Sequence, residues 1–551
     1  MILGHGASYE ALVRDFRWEI PHRFNIAAAC IDRWADAEPK RPALIRYAEG
    51  QTDVVTYGTL RRDSDRLAHA LRGLGIGRGD RVAVLLPQSA ETVAAHMAVY
   101  RLGGVVVPLA VLFGEEALRV RVAASGVKAA ITDAGGVAKL SGLRGEAPGL
   151  GPLISLDGPD GDALGWHETL ARAATTPFPA ADTVPDDPAL MIFTSGTTGA
   201  PKGAVHGHRV LAGHLPGFSF THDFPAGAGH RFWTPSDWAW AGGLLNALLP
   251  SLYFGIPVVF GPFRRFQPEE AMTLMAETGV TNAFLPPTAI KMMRAVAEPG
   301  RYRLALRTIG AAGERLGSAA YDWAKEALGI AVNEFYGQTE CNYVLGASAA
   351  LGVTRAGAIG KPVPGHTAAV IDAEGRAVPA GEQGEIAIRR PDPSMFLGYL
   401  DQPEATRDKF RGDWMLTGDR AVTDEDGYVH FVGRDDDIII SAGYRIGPSE
   451  IEDCLAAHPA VHLAAAVGKP DALRTEIVKA YVALRPGRAP TEALAHEIQR
   501  FVRERLSAAE YPREIAFVEE VPLTTSGKVI RRGFREMAAR EAGAAREDDP
   551  G

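Results

Sequence analysis

Thr194, Ser195, Thr197 and Thr198 are interleaved with Gly196 and Gly199 ahead of Lys202, in the segment MIFTSGTTGAPKG (191–203). Glycines let backbone N–H groups approach anionic oxygens, hydroxyls add donors, and a lysine neutralises charge, so this set suits a polyphosphate. It is not a Walker P-loop, because the G-x-x-x-x-G-K-[ST] spacing is absent. Further along, YGQTE (336–340) pairs an aromatic with polar groups. Tyr336 can stack on a base, Gln338 and Thr339 can hydrogen-bond it, and Glu340 offers a hard oxygen ligand. In TGD (417–419), Asp419 can accept hydrogen bonds from both hydroxyls of a ribose. Taken singly, each segment also fits an ordinary turn.

The order of the segments carries more than any one of them. TSGTTGAPKG is followed by GER (313–315), YGQTE, TGD, GRDDDIIISAGYRIGPSEIE (433–452) and PLTTSGKVIRR (522–532). This series resembles the adenylate-forming superfamily of acyl-CoA synthetases, luciferases and peptide-synthetase adenylation domains, in register and over nearly the whole chain. In overall look it is most similar to the medium-chain acyl-CoA synthetases. The resemblance implies an ATP-dependent acid–CoA ligase that forms an acyl-adenylate, then an acyl-CoA thioester, releasing AMP and pyrophosphate. It implies ATP, Mg²⁺ and coenzyme A as its companions.

Carried over position by position, the nucleotide-binding residues are Thr194, Ser195, Gly196, Thr197, Thr198, Gly199, Lys202, Gly313, Glu314, Tyr336, Gly337, Gln338, Thr339, Asp419, Arg434 and Lys528. Thr194, Glu340 and Lys528 are the catalytic candidates, with Glu340 as the metal ligand. GER has Arg315 where relatives commonly have proline, which leaves roles for Gly313 and Glu314 and none evident for Arg315. Lys528 would bridge carboxylate and α-phosphate as negative charge builds between them. For the second half-reaction the family rotates its small domain about a hinge, here Asp436. That rotation presents the SAGYR loop, with Ala442, Gly443, Tyr444 and Arg445 as the CoA-binding positions.

The acid is read from two walls, Trp240, Ala241 and Gly242 on one side and Gly337 on the other. Acetate-selective relatives carry a tryptophan at the position matching Gly337. Its absence predicts room for a medium-chain, branched or aromatic acid, unless Trp238, Trp240 or Phe232 fills the space. Rival readings are a ligase that loads an acyl or peptidyl carrier protein and a catalytically inactive AMP-binding protein. The chain ends soon after Lys528 with no carrier domain, which favours free CoA, and no motif is visibly damaged. A homodimer, and a lysine acetyltransferase acting on Lys528, are the further partners considered.

The elements that must position these residues alternate between helix and strand. Helical spacing covers 57–75, with Leu60, Leu67, Leu71 and Leu74 on one face, and a second helix is expected over 90–102. Short apolar runs at 81–86, 105–109, 127–132, 257–260 and 283–286 read as strands of a mostly parallel α/β sheet system. From about Gly357, strand-like runs at 368–372, 384–389 and 427–431 suggest a small β-rich subdomain. Expected domains are 1–433 (AMP-binding), 434–437 (hinge), 438–540 (mobile α+β domain) and 541–551 (a polar, disordered tail). In the α+β domain a helix is expected from 449 to 458, capped by Ser449.

A net charge of −9 argues against nucleic-acid binding. No apolar run is long enough to span a bilayer, and no secretory leader is apparent, so a cytoplasmic location is expected. Cys30, Cys341 and Cys454 suggest neither a disulfide framework nor a metal site. His206, His208 and His214 cluster after the phosphate-like loop, and are expected on a partly solvated helix or turn rather than around a metal.

Overall fold

The computed structural model describes residues 8–194, 201–227, 229–261, 266–434, 437–441, 444–471, 474–506, 511–523 and 529–547. The helix Tyr57–Gly73 is capped by the Thr56 hydroxyl, which accepts from Thr59 N–H, and buries Leu60, Leu67 and Leu71. It ends before Leu74, whose side chain is exposed, because the chain turns left-handed at Gly75 (φ +83°). The helix Ala90–Leu102 is buried on every side.

Two large sheets sandwich such buried helices. An eight-stranded sheet contains, in order, Gly398–Tyr399, Lys202–Gly207, Pro188–Thr194, Val105–Pro108, Arg81–Leu85, Ala129–Thr132, Leu153–Ser155 and Leu164–Gly165. A nine-stranded sheet runs from Lys361–Pro362 through Cys341–Gly346, Val332–Gln338, Thr308–Ala311, Asn282–Phe284, Phe232–Trp233 and Val258–Phe260 to Pro42–Ala48 and Gln51–Thr56. One hydrophobic core runs from Val82, Val84 and Val106 of the first sheet, through the helices Ala90–Leu102, Val210–Thr221 and Leu249–Phe254, to Leu44, Phe232 and Val258 of the second. Further helices pack on the outer faces, so helix and sheet layers alternate. The β-rich unit expected after Gly357 is a five-stranded sheet built on Gln383–Arg389 and Trp414–Thr423.

Beyond Asp437 a separate five-stranded sheet is centred on Thr475–Leu484, with helices Pro448–Ala456, Glu492–Arg505 and Arg531–Glu547. The first of these starts one residue earlier than Ser449, with Gly447 at the cap and Pro448 in its first turn. Proline's fixed φ and missing N–H suit that position, so Ser449 is inside the helix. The last helix carries the chain through 541–547, a stretch whose polar composition points to disorder. Phe534 stacks on Tyr481 at 4.4 Å and Glu541 pairs with Lys479, which anchors that helix.

Arg101 is fully buried between the layers, 2.6 Å from Asp32 and 3.1 Å from Asp65. Removing the cation leaves Asp32 and Asp65 to Arg61 alone, 3.4 Å from each, so Arg101→Met should cost about 3 kcal/mol. That predicts a clear drop in the thermal unfolding midpoint, partly restored by Arg101→Lys.

Candidate functional site

The candidate residues gather at the carboxyl ends of parallel strands, where α/β sheets form their binding crevices. Thr308–Ala311 leads into Gly313 and Glu314, Asn282–Phe284 into Thr288, and Phe232–Trp233 into Trp240, Ala241 and Gly242, while Tyr336 to Glu340 close Val332–Gln338 and the turn after it. Gly313 takes φ +99°, a backbone region that disfavours any side chain. Glu314 is held by the Thr288 hydroxyl, 2.9 Å from both carboxylate oxygens.

Asp419 is the centre of the described site. Its Oδ2 accepts from the Tyr336 hydroxyl and, at 2.6 Å, from Gln338 Nε2. Its Oδ1 faces Arg434 at 3.6 Å, across a strand register that sets Asp419 opposite Arg434. Gln338 Nε2 also donates to Thr417 O at 2.8 Å, and Lys409 Nζ lies 3.5 Å from Gln338 Oε1. The Tyr336 hydroxyl is driven far above its ordinary pKa by burial and by the Asp419 charge, so it stays a donor. Three residues expected to touch a nucleotide therefore already share one carboxylate.

Glu340 is buried one turn away. Its Oε1 accepts from the Tyr399 hydroxyl, and Lys202 Nζ stands 5.2 Å over the Tyr399 ring. Tyr399 lies on the short strand that pairs with Lys202–Gly207. Sequence reasoning missed it, since nothing local in MFLGYL distinguishes it from a core aromatic. The other oxygen of Glu340 has no partner among the described residues. One free carboxylate oxygen is a hard ligand of the kind that fits Mg²⁺, which keeps several waters and binds mainly through substrate phosphates.

Thr194 and Lys202 face each other across the antiparallel pair that brackets the phosphate-like loop. Ser195, Gly196, Thr197, Thr198, Gly199, Asp436, Ala442, Gly443 and Lys528 lie outside the described residues. Tyr444 and Arg445 stand on the strand Tyr444–Ile446.

Three readings change. A Cβ on Gly337 would lie 2.3 Å from Asn342 Oδ1 and 2.4 Å from its Cα. The glycine makes room for Asn342 and does not open onto empty volume. His206, His208 and His214 are buried instead of partly solvated, and burial lowers their pKa values to about 3, 4 and 4, so they are neutral. Arg315 does have a partner: its Nε is 3.5 Å from Asp453 Oδ2 on the helix Pro448–Ala456, and Lys291 Nζ is 3.5 Å from the other oxygen. Trp238 packs near Phe260 and Phe232 near Phe218, while Trp240 meets Phe113 edge-on at 5.6 Å.

Comparison with known proteins agrees with this layout. Residues 31–400 match the AMP-binding enzyme family and 450–528 match the AMP-binding enzyme C-terminal domain. The chain is 34% identical to the uncharacterized acyl-CoA ligase YtcI of Bacillus subtilis, covering 94% of this chain and 96% of that one. It is 31% identical to the mitochondrial acyl-coenzyme A synthetase ACSM3 of Mus musculus, covering 96% and 93%. Among solved structures, the anthranilate CoA ligase AuaEII in complex with anthranoyl-AMP superposes with a TM-score of 0.87 at 28% identity, covering 95% of this chain and 99% of that one.

Behind the site, Glu334 is buried, accepts from Leu316 N–H at 3.2 Å, and has its carboxyl pushed up to about 7 by desolvation, against the pull of that N–H and of Arg315. A carboxyl raised in the folded state contributes full stability below its unfolded pKa and loses it as pH rises through 7. Above that pH the accumulated loss is about 3 kcal/mol, because the unfolded chain gives up the proton so much more readily. Glu334→Gln should therefore match the parent's melting temperature near pH 5 and exceed it at pH 8. A difference that is flat with pH would contradict this.

Proposed function

This chain belongs to the AMP-binding enzyme family and is an ATP-dependent acid–CoA ligase, and from that premise we propose how its own residues divide the work and which acids it takes. The observation that carries the site reading is the convergence of Tyr336, Gln338 and Arg434 on Asp419, with Glu340 one turn away keeping a carboxylate oxygen free. Asp419 receives the ribose hydroxyls, and Tyr336 presents its ring to adenine while its hydroxyl stays tied to Asp419. Gly313 and Glu314 border the base, and the 194–202 loop wraps the phosphates with Thr194 and Lys202 at its ends. Glu340 would hold Mg²⁺, which when bound draws charge off the phosphates.

In the first half-reaction a carboxylate oxygen attacks the α-phosphorus, the bond to the β-phosphate bridging oxygen breaks, and pyrophosphate leaves. Lys528 stabilises the charge that builds there. In the second, the CoA thiol loses its proton, its sulfur attacks the acyl carbonyl, and AMP departs. We place the division between the two parts of the chain at 434–437, with Asp436 as the hinge and 442–445 meeting CoA. The separate family matches on either side of that stretch support the division. The acid is medium-chain or aromatic, a reading supported by the resemblance to a medium-chain-type synthetase and to an anthranilate ligase, and by Phe284 and Trp240 beside the small Ala241 and Gly242.

Thioester formation from ATP, CoA and a panel of straight, branched and aromatic acids tests the whole reading, and activity on acetate alone would overturn the choice of acid. Lys528→Ala should cut acyl-AMP formation roughly 100-fold or more, while sparing thioester formation from supplied acyl-AMP. Gly443→Trp should do the reverse, so equal loss in both half-reactions for both variants would refute the division. Acetylation of Lys528 would silence the first half-reaction alone, which intact-mass measurement paired with both assays would reveal. Tyr399→Phe leaves Glu340 without its hydroxyl donor, a bond worth about 1.5–3 kcal/mol to a charged group. Its Mg²⁺ requirement should rise roughly tenfold, and its unfolding midpoint should fall measurably with the loss of that bond.

A further inference from the structure

Two side-chain amides are buried where the candidate acid-binding walls meet. Asn246 (3% exposed) lies on the helical stretch Leu244–Leu248, directly after Ala241–Gly243. Asn342 (6% exposed) lies on the strand Cys341–Gly346, against Gly337. Asn342 Nδ2 donates to Asn246 Oδ1 at 2.8 Å, so a single hydrogen bond ties the two walls together.

The direction of that bond is fixed from one end. The backbone N–H of Tyr343 donates to Asn342 Oδ1 at 2.8 Å, and a backbone N–H can only donate. The carbonyl end of Asn342 therefore faces its own strand, and its amino end must point to Asn246. Asn246 must answer with its carbonyl oxygen, which leaves its Nδ2 as the last member of the chain. Network polarity of this kind decides amide orientation. That Nδ2 carries two N–H donors and has no acceptor among the described residues. Its neighbours on the same stretch are Leu244, Leu245, Ala247 and Leu248, all buried and apolar. Phe284 sits 3.1 Å from where a Cβ on Gly242 would be. Nδ2 is not sealed off among the described residues, so it borders space where an acceptor, water or a ligand oxygen, can reach it within an otherwise apolar wall.

We propose that Asn246 is a specificity-determining residue whose Nδ2 donates to an oxygen on the acyl group. The preferred acid is then a medium-chain or aromatic acid bearing a hydroxyl, keto or ether oxygen, in place of a plain hydrocarbon acid. This assignment rests on the acid–CoA ligase reading and narrows its substrate class. A site built around a buried donor discriminates against the analogue lacking the acceptor much more strongly than an apolar pocket discriminates by one methylene.

The test uses matched pairs of acids, with and without the oxygen: benzoate against hydroxy- and methoxybenzoates, and octanoate against its hydroxy and oxo forms. For each, kcat/KM for thioester formation is measured with the parent enzyme, Asn246→Leu and Asn246→Asp. The parent should favour the oxygen-bearing member of at least one pair by roughly tenfold or more. Asn246→Leu should erase or invert that ratio through the KM for the acid, with the KM for ATP unchanged. Asn246→Asp, nearly the same shape, sets a carboxylate acceptor against the substrate oxygen and should erase the ratio for the methoxy and oxo acids, whose oxygens only accept, which keeps the test decisive if the leucine variant melts early. A parent enzyme without any such preference, or variants that retain the parent's ratio on the methoxy and oxo pairs, would overturn the assignment. Thioester from neither member of any pair would instead overturn the ligase reading, and this assignment with it.

Discussion

The architecture of the site turns on one carboxylate. Asp419 receives Tyr336 and Gln338 from the end of a nine-stranded sheet and faces Arg434 on the strand opposite its own. Its backbone N–H is in turn held by the Thr417 hydroxyl at 3.1 Å. A buried carboxylate holds its several donors in place, and each loses its freedom to turn elsewhere. The aromatic ring, the amide and the guanidinium are therefore oriented before any nucleotide arrives. Such preorganisation lowers the entropy that binding must otherwise overcome.

The same logic holds around Glu340. Tyr399 commits one of its oxygens and leaves the other available, which a lone flexible glutamate would not do reliably. Gly337, between these two centres, accommodates Asn342 at a distance no side chain would allow. The segment YGQTE is thus fitted on both sides, with Tyr336 and Gln338 turned to Asp419 and Gly337 set against a buried amide pair.

Much of this was legible in the residues themselves. Helical spacing located the helices Tyr57–Gly73 and Ala90–Leu102, and the ordered motifs brought Tyr336, Gln338, Asp419 and Arg434 to one place. What could not be read were pairings between distant positions: Tyr399 with Glu340, Asn246 with Asn342, and Arg315 with Asp453. No periodicity or composition encodes such contacts, because they depend on how layers stack. The buried histidines failed for a related reason. Burial of His206, His208 and His214 comes from the layers around them, and the polar letters in the sequence suggested the opposite.

The acidic run GRDDD contains the expected hinge, yet its last member is firmly held. Asp437 accepts from Arg531 at 3.0 Å and from Arg535, while Arg531 reaches Glu452 through Nε at 2.8 Å. The beginning of the C-terminal part is thereby bolted to its final helix, and that helix to the one at Pro448–Ala456. Only two residues separate Lys528 from Arg531 along the chain. Any swing that starts upstream of Asp437 must then move this assembly as a single lever and carry the lysine with it. The ionic bolts at the pivot end would set how rigidly that lever turns, so losing one would loosen the C-terminal part as a whole.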